Sequence, residues 1–156
     1  MKLGEALNRI NEIGKEINIL TSLALENGLK QDGDSTERSV ENILLEINAL
    51  IDERSALKYN VMKTNIITQI SYAHNQTMSL AEAILLRRSL IDKNSSINSL
   101  IQNTKPNLYG MRSKQSEIKV FRSFDPGQQR KIADAAAKQA RELDTIIQII
   151  NWSTEI

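Results

Sequence analysis

The chain contains no cysteine, which rules out disulfides, thiolate metal sites and a cysteine nucleophile. Proline occurs twice, glycine six times, and aromatic residues make up only 4% of the 156 positions. An all-β sandwich needs many turns and many aromatic or β-branched strand residues, so this scarcity argues against one. Neither sign of charge dominates: 20 Lys and Arg stand against 19 Asp and Glu, a net charge of +1. That balance gives no global pull toward nucleic acid or an anionic membrane. No apolar run approaches the roughly 18–20 residues that span a bilayer. The opening MKLGEALNRINEIGKEI is charged throughout and lacks the apolar stretch of a secretory signal. A cytoplasmic protein is expected, in which the N-x-S/T triplets at Asn75, Asn94 and Asn151 carry no meaning.

What is present is helical patterning. Hydrophobic residues are 40% and charged residues 25%, ordinary for a globular domain, and the length suits a single domain over 1–156. Leu3, Leu7, Ile10, Ile13, Ile17, Leu20 and Ala24 recur at steps of three and four, which predicts a helix from about Leu3 to Asn27, stopped by Gly28. A second helix is expected from about Thr36 to the late sixties, with Val40, Ile43, Leu44, Ile47, Leu50, Ile51, Leu57 and Val61 as its stripe. Ser71–Thr77 reads as a loop. Ser79 and Glu82 have the spacing of a capping box at the start of a third helix, which runs to about Gln102. Its inward positions are Leu80, Ala83, Ile84, Leu90, Ile91, Ile97 and Ile101. Glu117–Arg122 alternates polar and apolar residues and reads as a short strand, which must pair with Lys105–Met111 or with another chain. Asp125-Pro126 opens a fourth helix, Asp as N-cap and Pro at the first position, carried to about Asn151 through Ile132, Ala136, Ala140, Leu143, Ile147 and Ile150. The expected fold is mainly α: an antiparallel bundle of four main helices with a short β strand or hairpin before the last helix. The short connection after the first helix makes the first two antiparallel neighbours.

The motifs do not assemble into a catalytic centre. His74, the single histidine, has no carboxylate or histidine cluster near it in sequence and reads as a loop residue. Asp32-Gly-Asp34-Ser lacks the ligand spacing of a calcium loop and reads as a polar turn. Arg112, Lys114, Lys119 and Arg122, with Tyr109 and Phe121 nearby, make a basic segment over 112–122. Phosphate contacts and base stacking would suit single-stranded nucleic acid there, but charges guarding a strand edge are the favoured reading. No Gly-rich phosphate loop, nucleophile–base pair or metal-ligand set is found, so no catalytic residue, cofactor or metal is expected.

The informative oddities are polar residues on apolar stripes. Arg87 lies among Ala83, Ile84, Leu90 and Ile91, and Arg54 between Leu50, Ile51 and Leu57; Asn65 and Asn94 occupy central positions too. A guanidinium so placed needs a carboxylate partner from another helix or subunit, and removing one member of a buried pair costs about 3–5 kcal/mol. Internal salt bridges that fix helix register are expected here, with an anion-binding pocket as the alternative. Away from the main stripes, Ile19 and Leu23 on the first helix and Leu45, Ala49 and Ala56 on the second form a candidate contact surface. A homo-oligomer, a dimer or a multiple of one, follows as the expectation.

The opening MKLGEAL, the loop LKQDGD, the run SLAEAILLRRSLIDK, the segment SEIK and the ending RELDTIIQIINWSTEI occur in order over nearly the whole chain. Together they resemble a family of small bacterial helical proteins often labelled septicolysin. The resemblance implies a helical bundle with a short β element and brings no catalytic residues; the label implies a cytolysin. Within the matched motifs, Arg87, Arg88, Glu117, Lys119, Asp144, Asn151 and Trp152 are the polar or aromatic positions to watch. The functional expectation is a non-enzymatic, self-associating helical protein. A membrane-active lysin and single-stranded nucleic-acid binding through 112–122 are the alternatives.

Overall fold

Helix-forming periodicity is realised almost throughout the computed structural model, which describes residues 1–29, 38–72, 76–105 and 121–156. Among these, four helices and a hairpin follow in the order α1 (Leu3–Asn27), α2 (Val40–Ile67), β1 (Gln69–Tyr72), β2 (Gln76–Ser79), α3 (Leu80–Asn103) and α4 (Pro126–Ser153). The mainly helical expectation with a short hairpin holds. The hairpin, however, is β1 with β2, ahead of α3, where a loop was expected over Ser71–Thr77. Of the expected strand Glu117–Arg122, residues 117–120 lie outside the described residues. Phe121 and Arg122 are described and are not in a strand. His74 and Asp32–Ser35 also lie outside the described residues.

Helix starts follow local chemistry. Ser39 caps α2, its hydroxyl accepting from the Asn42 N–H at 3.2 Å. Asp125 caps α4 as the sequence indicates: its Oδ1 accepts from the N–H of Gly127 at 2.7 Å and of Gln128 at 3.3 Å. At α1 the Glu5 carboxylate reaches back to the Lys2 N–H at 2.7 Å.

The chain divides into two compact units. The first holds Met1–Ile70, Ser79–Ala81 and Gln148–Ile156. Here α1 and α2 run antiparallel. Leu20 meets Ile43 and Ile47, with Ile17, Leu23, Ala24 and Leu50 packed around them. Toward the other end of the pair, Arg9 Nε donates to Glu53 Oε1 at 2.8 Å and its Nη2 to Oε2 at 3.1 Å, a forked pairing. Arg9 Nη1 also donates to Glu16 at 2.7 Å. The stripe on α2 is narrower than periodicity suggests: Ile43, Ile47, Val61 and Thr64 are buried, while Leu44 and Ile51 are exposed. Those two lie off the line facing α1, on a second apolar row.

The ends of the chain meet in the same unit. Lys2 and Glu155 form an antiparallel bridge. The Leu3 N–H donates to the Thr154 carbonyl at 2.9 Å, and the Ile156 N–H to the Met1 carbonyl at 3.0 Å. Lys2 Nζ adds an ion pair with Glu155 at 3.0 Å. Beside this pairing, Gly4 sits under the Trp152 indole. A β-carbon at Gly4 would stand 3.0–3.1 Å from three ring atoms.

The second unit holds Ser71–Met78 and Glu82–Ile147. The buried row of α4 within it is Ala133, Ala136, Ala140, Leu143 and Ile147, alternating steps of three and four. Ile132, expected inward, is exposed, and Ala133 takes its place. On α3, Ala83 and Ile101 are buried, whereas Ile91 is exposed. Helix α3 ends against a side chain: Arg122 Nε donates to the Thr104 carbonyl at 3.0 Å and Nη2 to the Ile101 carbonyl at 3.1 Å. These are C-terminal carbonyls that the helix cannot satisfy itself, and a cation there also complements the helix dipole.

Two outcomes are expected from this packing. Gly4→Ala gains helix propensity but drives a methyl into a flat ring, for a net loss of about 1 kcal/mol. Because Trp152 is the only tryptophan, the displaced ring should report itself as a red shift in emission; an unshifted spectrum would contradict the contact. Second, Arg9 holds the Glu53 carboxyl, and Lys2 the Glu155 carboxyl, below the ordinary value of 4.5. A carboxylate depressed on folding contributes stability above its unfolded pKa and loses it as pH falls through the folded one. Melting temperature should therefore drop more steeply from about pH 5 to about pH 3 in the parent than in Glu53→Gln.

Candidate functional site

The polar positions flagged on apolar stripes separate between the units: Arg54 and Asn65 belong to the first, Arg87 and Asn94 to the second. All four are half-buried. Asn65 Oδ1 is enclosed without a hydrogen-bond partner among the described residues. Arg54 makes no ion pair among them.

Arg87 and Asn94 are brought together with α4. Arg87 Nη1 pairs with Asp144 Oδ1, a cross-helix ion pair from within the family-like motifs. Two turns along α3, Asn94 Nδ2 donates to the Ala133 carbonyl at 2.8 Å, and Asn94 Oδ1 accepts from Asn98 Nδ2 at 3.3 Å. These contacts set α3 antiparallel to α4. Arg87 is not deeply buried: its side chain is 33% exposed and that of Asp144 46%. Its Nε is nonetheless enclosed and has no partner among the described residues.

Between the two contacts lies a cleft of about 350 Å³. Arg87, Ile91 and Asn94 line it from α3, and Ala137, Ala140, Arg141 and Asp144 from α4. It exists because α4 presents alanines where α3 presents long side chains, so the gap is not filled to interior density. Arg141 and Ala137 were not singled out in the sequence; the signal was the run of small residues ADAAAKQA, which Arg141 directly follows. A smaller cleft of about 280 Å³ lies by Ile101, Lys105, Arg122, Pro126, Gly127 and Arg130. Arg122, read as part of a basic strand, is half-buried and engaged with the end of α3; residues 112–120 lie outside the described residues.

Of the candidate contact residues, Ile19 and Leu45 are each 68% exposed, and Ala49 and Ala56 are exposed too. Leu23 differs: it is half-buried against Leu20, Ile43 and Ile47, because its long side chain folds into the α1–α2 seam. In β1, burial and the charge of Glu142 push the Tyr72 phenol above its ordinary value of 10.0. Among the described residues no group of three or more His, Asp or Glu is placed to hold a metal ion, and no helix is long and apolar enough to cross a membrane.

The exposure of the Arg87–Asp144 pair changes its expected worth. A partly solvated pair contributes about 1 kcal/mol at most, not the cost of breaking a buried one. Arg87→Ala should therefore lower unfolding free energy by about 1 kcal/mol in urea titrations. A loss several times larger would show that the enclosed Nε dominates.

The same fold occurs in a functionally unknown conserved protein from Corynebacterium diphtheriae whose crystal structure is solved. That protein is 33% identical, with 100% of this chain and 98% of that one covered and a TM-score of 0.82. No curated protein matches the chain. The septicolysin label finds no support in these comparisons; a small family without an assigned role does. A family model described as "Family of unknown function (DUF6847)" matches residues 11–156, nearly the whole chain, and the protein belongs to that family.

Proposed function

We propose that the protein acts by self-association, as a non-enzymatic cytoplasmic homodimer, or a multiple of it, built on the outward face of α2. The observation that supports this reading is the second apolar row on that helix. Leu44, Ile51, Tyr59, Met62 and Ile66 are all exposed. With Asn48 and Ser55 they form a row with steps of 4, 3, 4, 4, 3 and 4 residues. The steps average about 3.67 residues, the spacing of an 11-residue coiled-coil repeat, and the row reads the same in both directions about Ser55. Reversing α2 onto a second copy sets Leu44 against Ile66, Asn48 against Met62 and Ile51 against Tyr59. A two-fold interface requires such self-complementarity. Charge agrees along one flank, where Glu41 and Asp52 lie in the first half of the helix and Lys63 in the second. Leu45, Ala49, Ala56 and Ile67 are exposed on the neighbouring face of α2, and Ile19 offers a further exposed apolar residue on α1.

Light scattering tests the reading. A mass of twice 17.6 kDa, or a multiple, is expected at micromolar concentration, and a single-chain mass refutes it. Leu44→Lys combined with Ile66→Lys should dissociate the dimer with helical content intact. Dissociation by Ile19→Lys with Leu45→Lys alone would place the interface on the neighbouring face instead.

A further inference from the structure

We propose that the α3–α4 cleft is a binding site for a small monoanion with an apolar body, a short alkyl or aryl carboxylate. Three features converge on this class. The cleft, about 350 Å³, falls at the lower end of small-molecule sites, which run to roughly 300–1,000 Å³. Its lining carries two guanidinium groups, Arg87 and Arg141, against one carboxylate, Asp144. Asp144 is committed to Arg87, and Arg141 makes no ion pair among the described residues. One positive charge is left over, which a monoanion neutralises and a dianion overshoots.

The Arg87 guanidinium is also under-used. Nη1 meets Asp144, while Nε is enclosed without a partner among the described residues. An enclosed unpaired donor is unfavourable, and an acceptor oxygen brought alongside the guanidinium relieves part of that penalty. A carboxylate suits the fork of Arg141 in a planar, two-bond arrangement. Of the remaining walls, Ile91, Ala137 and Ala140 offer hydrocarbon, while the Asn94 amide is engaged with the Ala133 carbonyl and Asn98. They favour a ligand whose charged group is joined to a compact apolar body, not a bare inorganic ion.

The test is an amide NMR titration of the whole chain with sodium benzoate. Sodium sulfate serves as charge without body, and benzyl alcohol as body without charge. Saturable shifts centred on Arg87, Ile91, Ala137 and Arg141 are expected with benzoate, with a dissociation constant on the order of a millimolar. Arg141→Gln should weaken binding about tenfold or more. Ala137→Leu, which fills the cleft without altering charge, should abolish the shifts, and Lys138→Gln should leave affinity unchanged. The proposal is overturned if benzoate produces no saturable shift well above the millimolar range. Sulfate or benzyl alcohol binding as well as benzoate overturns it too, as does an Arg141→Gln variant that binds like the parent.

Discussion

A helix end leaves backbone donors or acceptors unpaired, and the course of this chain is governed by how each end is satisfied. At α2 and α4 the solution is local, through the side chains of Ser39 and Asp125. Elsewhere it is remote, and the remote solutions build tertiary structure. The start of α1 takes the Thr154 carbonyl as an acceptor, and that choice draws the last residues of α4 to the first of α1. The end of α3 takes the Arg122 guanidinium, which anchors the chain just before α4 begins. The Leu80 N–H, at the head of α3, takes the Thr68 carbonyl at 2.8 Å and so joins the two sides of the hairpin at its base.

Side-chain size then decides what lies between the fixed ends. The α4 row of three alanines followed by Leu143 and Ile147 grades from small to large along the helix. Opposite the small end, α3 places Asn94 and Ile91; opposite the larger end it places Arg87, Ile84 and Ala83. Polar groups at Arg87 and Asn94 cross to α4 with defined partners, which apolar residues in their place would lack. Polar contacts of this kind fix register, because a shift by one turn leaves each group unpaired. The cleft is the space these two spacers hold open.

Most of the fold was legible in the sequence where periodicity was long. The bounds of α1 are those its stripe indicates, and the caps at Asp125 and Gly28 mark real ends. The hairpin was not legible because four-residue strands carry too few positions for alternation to show; Ile70 and Tyr72 were its only clear signal. Leu44, Ile51 and Ile132 were misassigned for a different reason. A helix wheel shows which residues share a face, but where α2 is apolar on more than one face it does not say which one packs. Half of the candidate site was visible as Arg87 and Asn94, residues out of keeping with their stripe. Of its α4 wall only Asp144 was flagged, because alanine advertises no chemistry and Arg141 looks like any surface arginine until its neighbours are known.

The pairing of Lys2 with Glu155 joins residues 153 positions apart in sequence. Contacts of that separation form after the intervening loops have closed, since chain entropy opposes them until other structure shortens the search. The α1–α2 hairpin needs only its own connection and is complete early. The α1 entry, by contrast, waits for Thr154–Ile156, far along the chain. During synthesis Gly4 and the apolar first turn around Leu3 and Ala6 stand without Trp152 beside them. The first unit is thus built in two instalments, a seam between neighbouring helices and a closure made only once Trp152–Ile156 have been added.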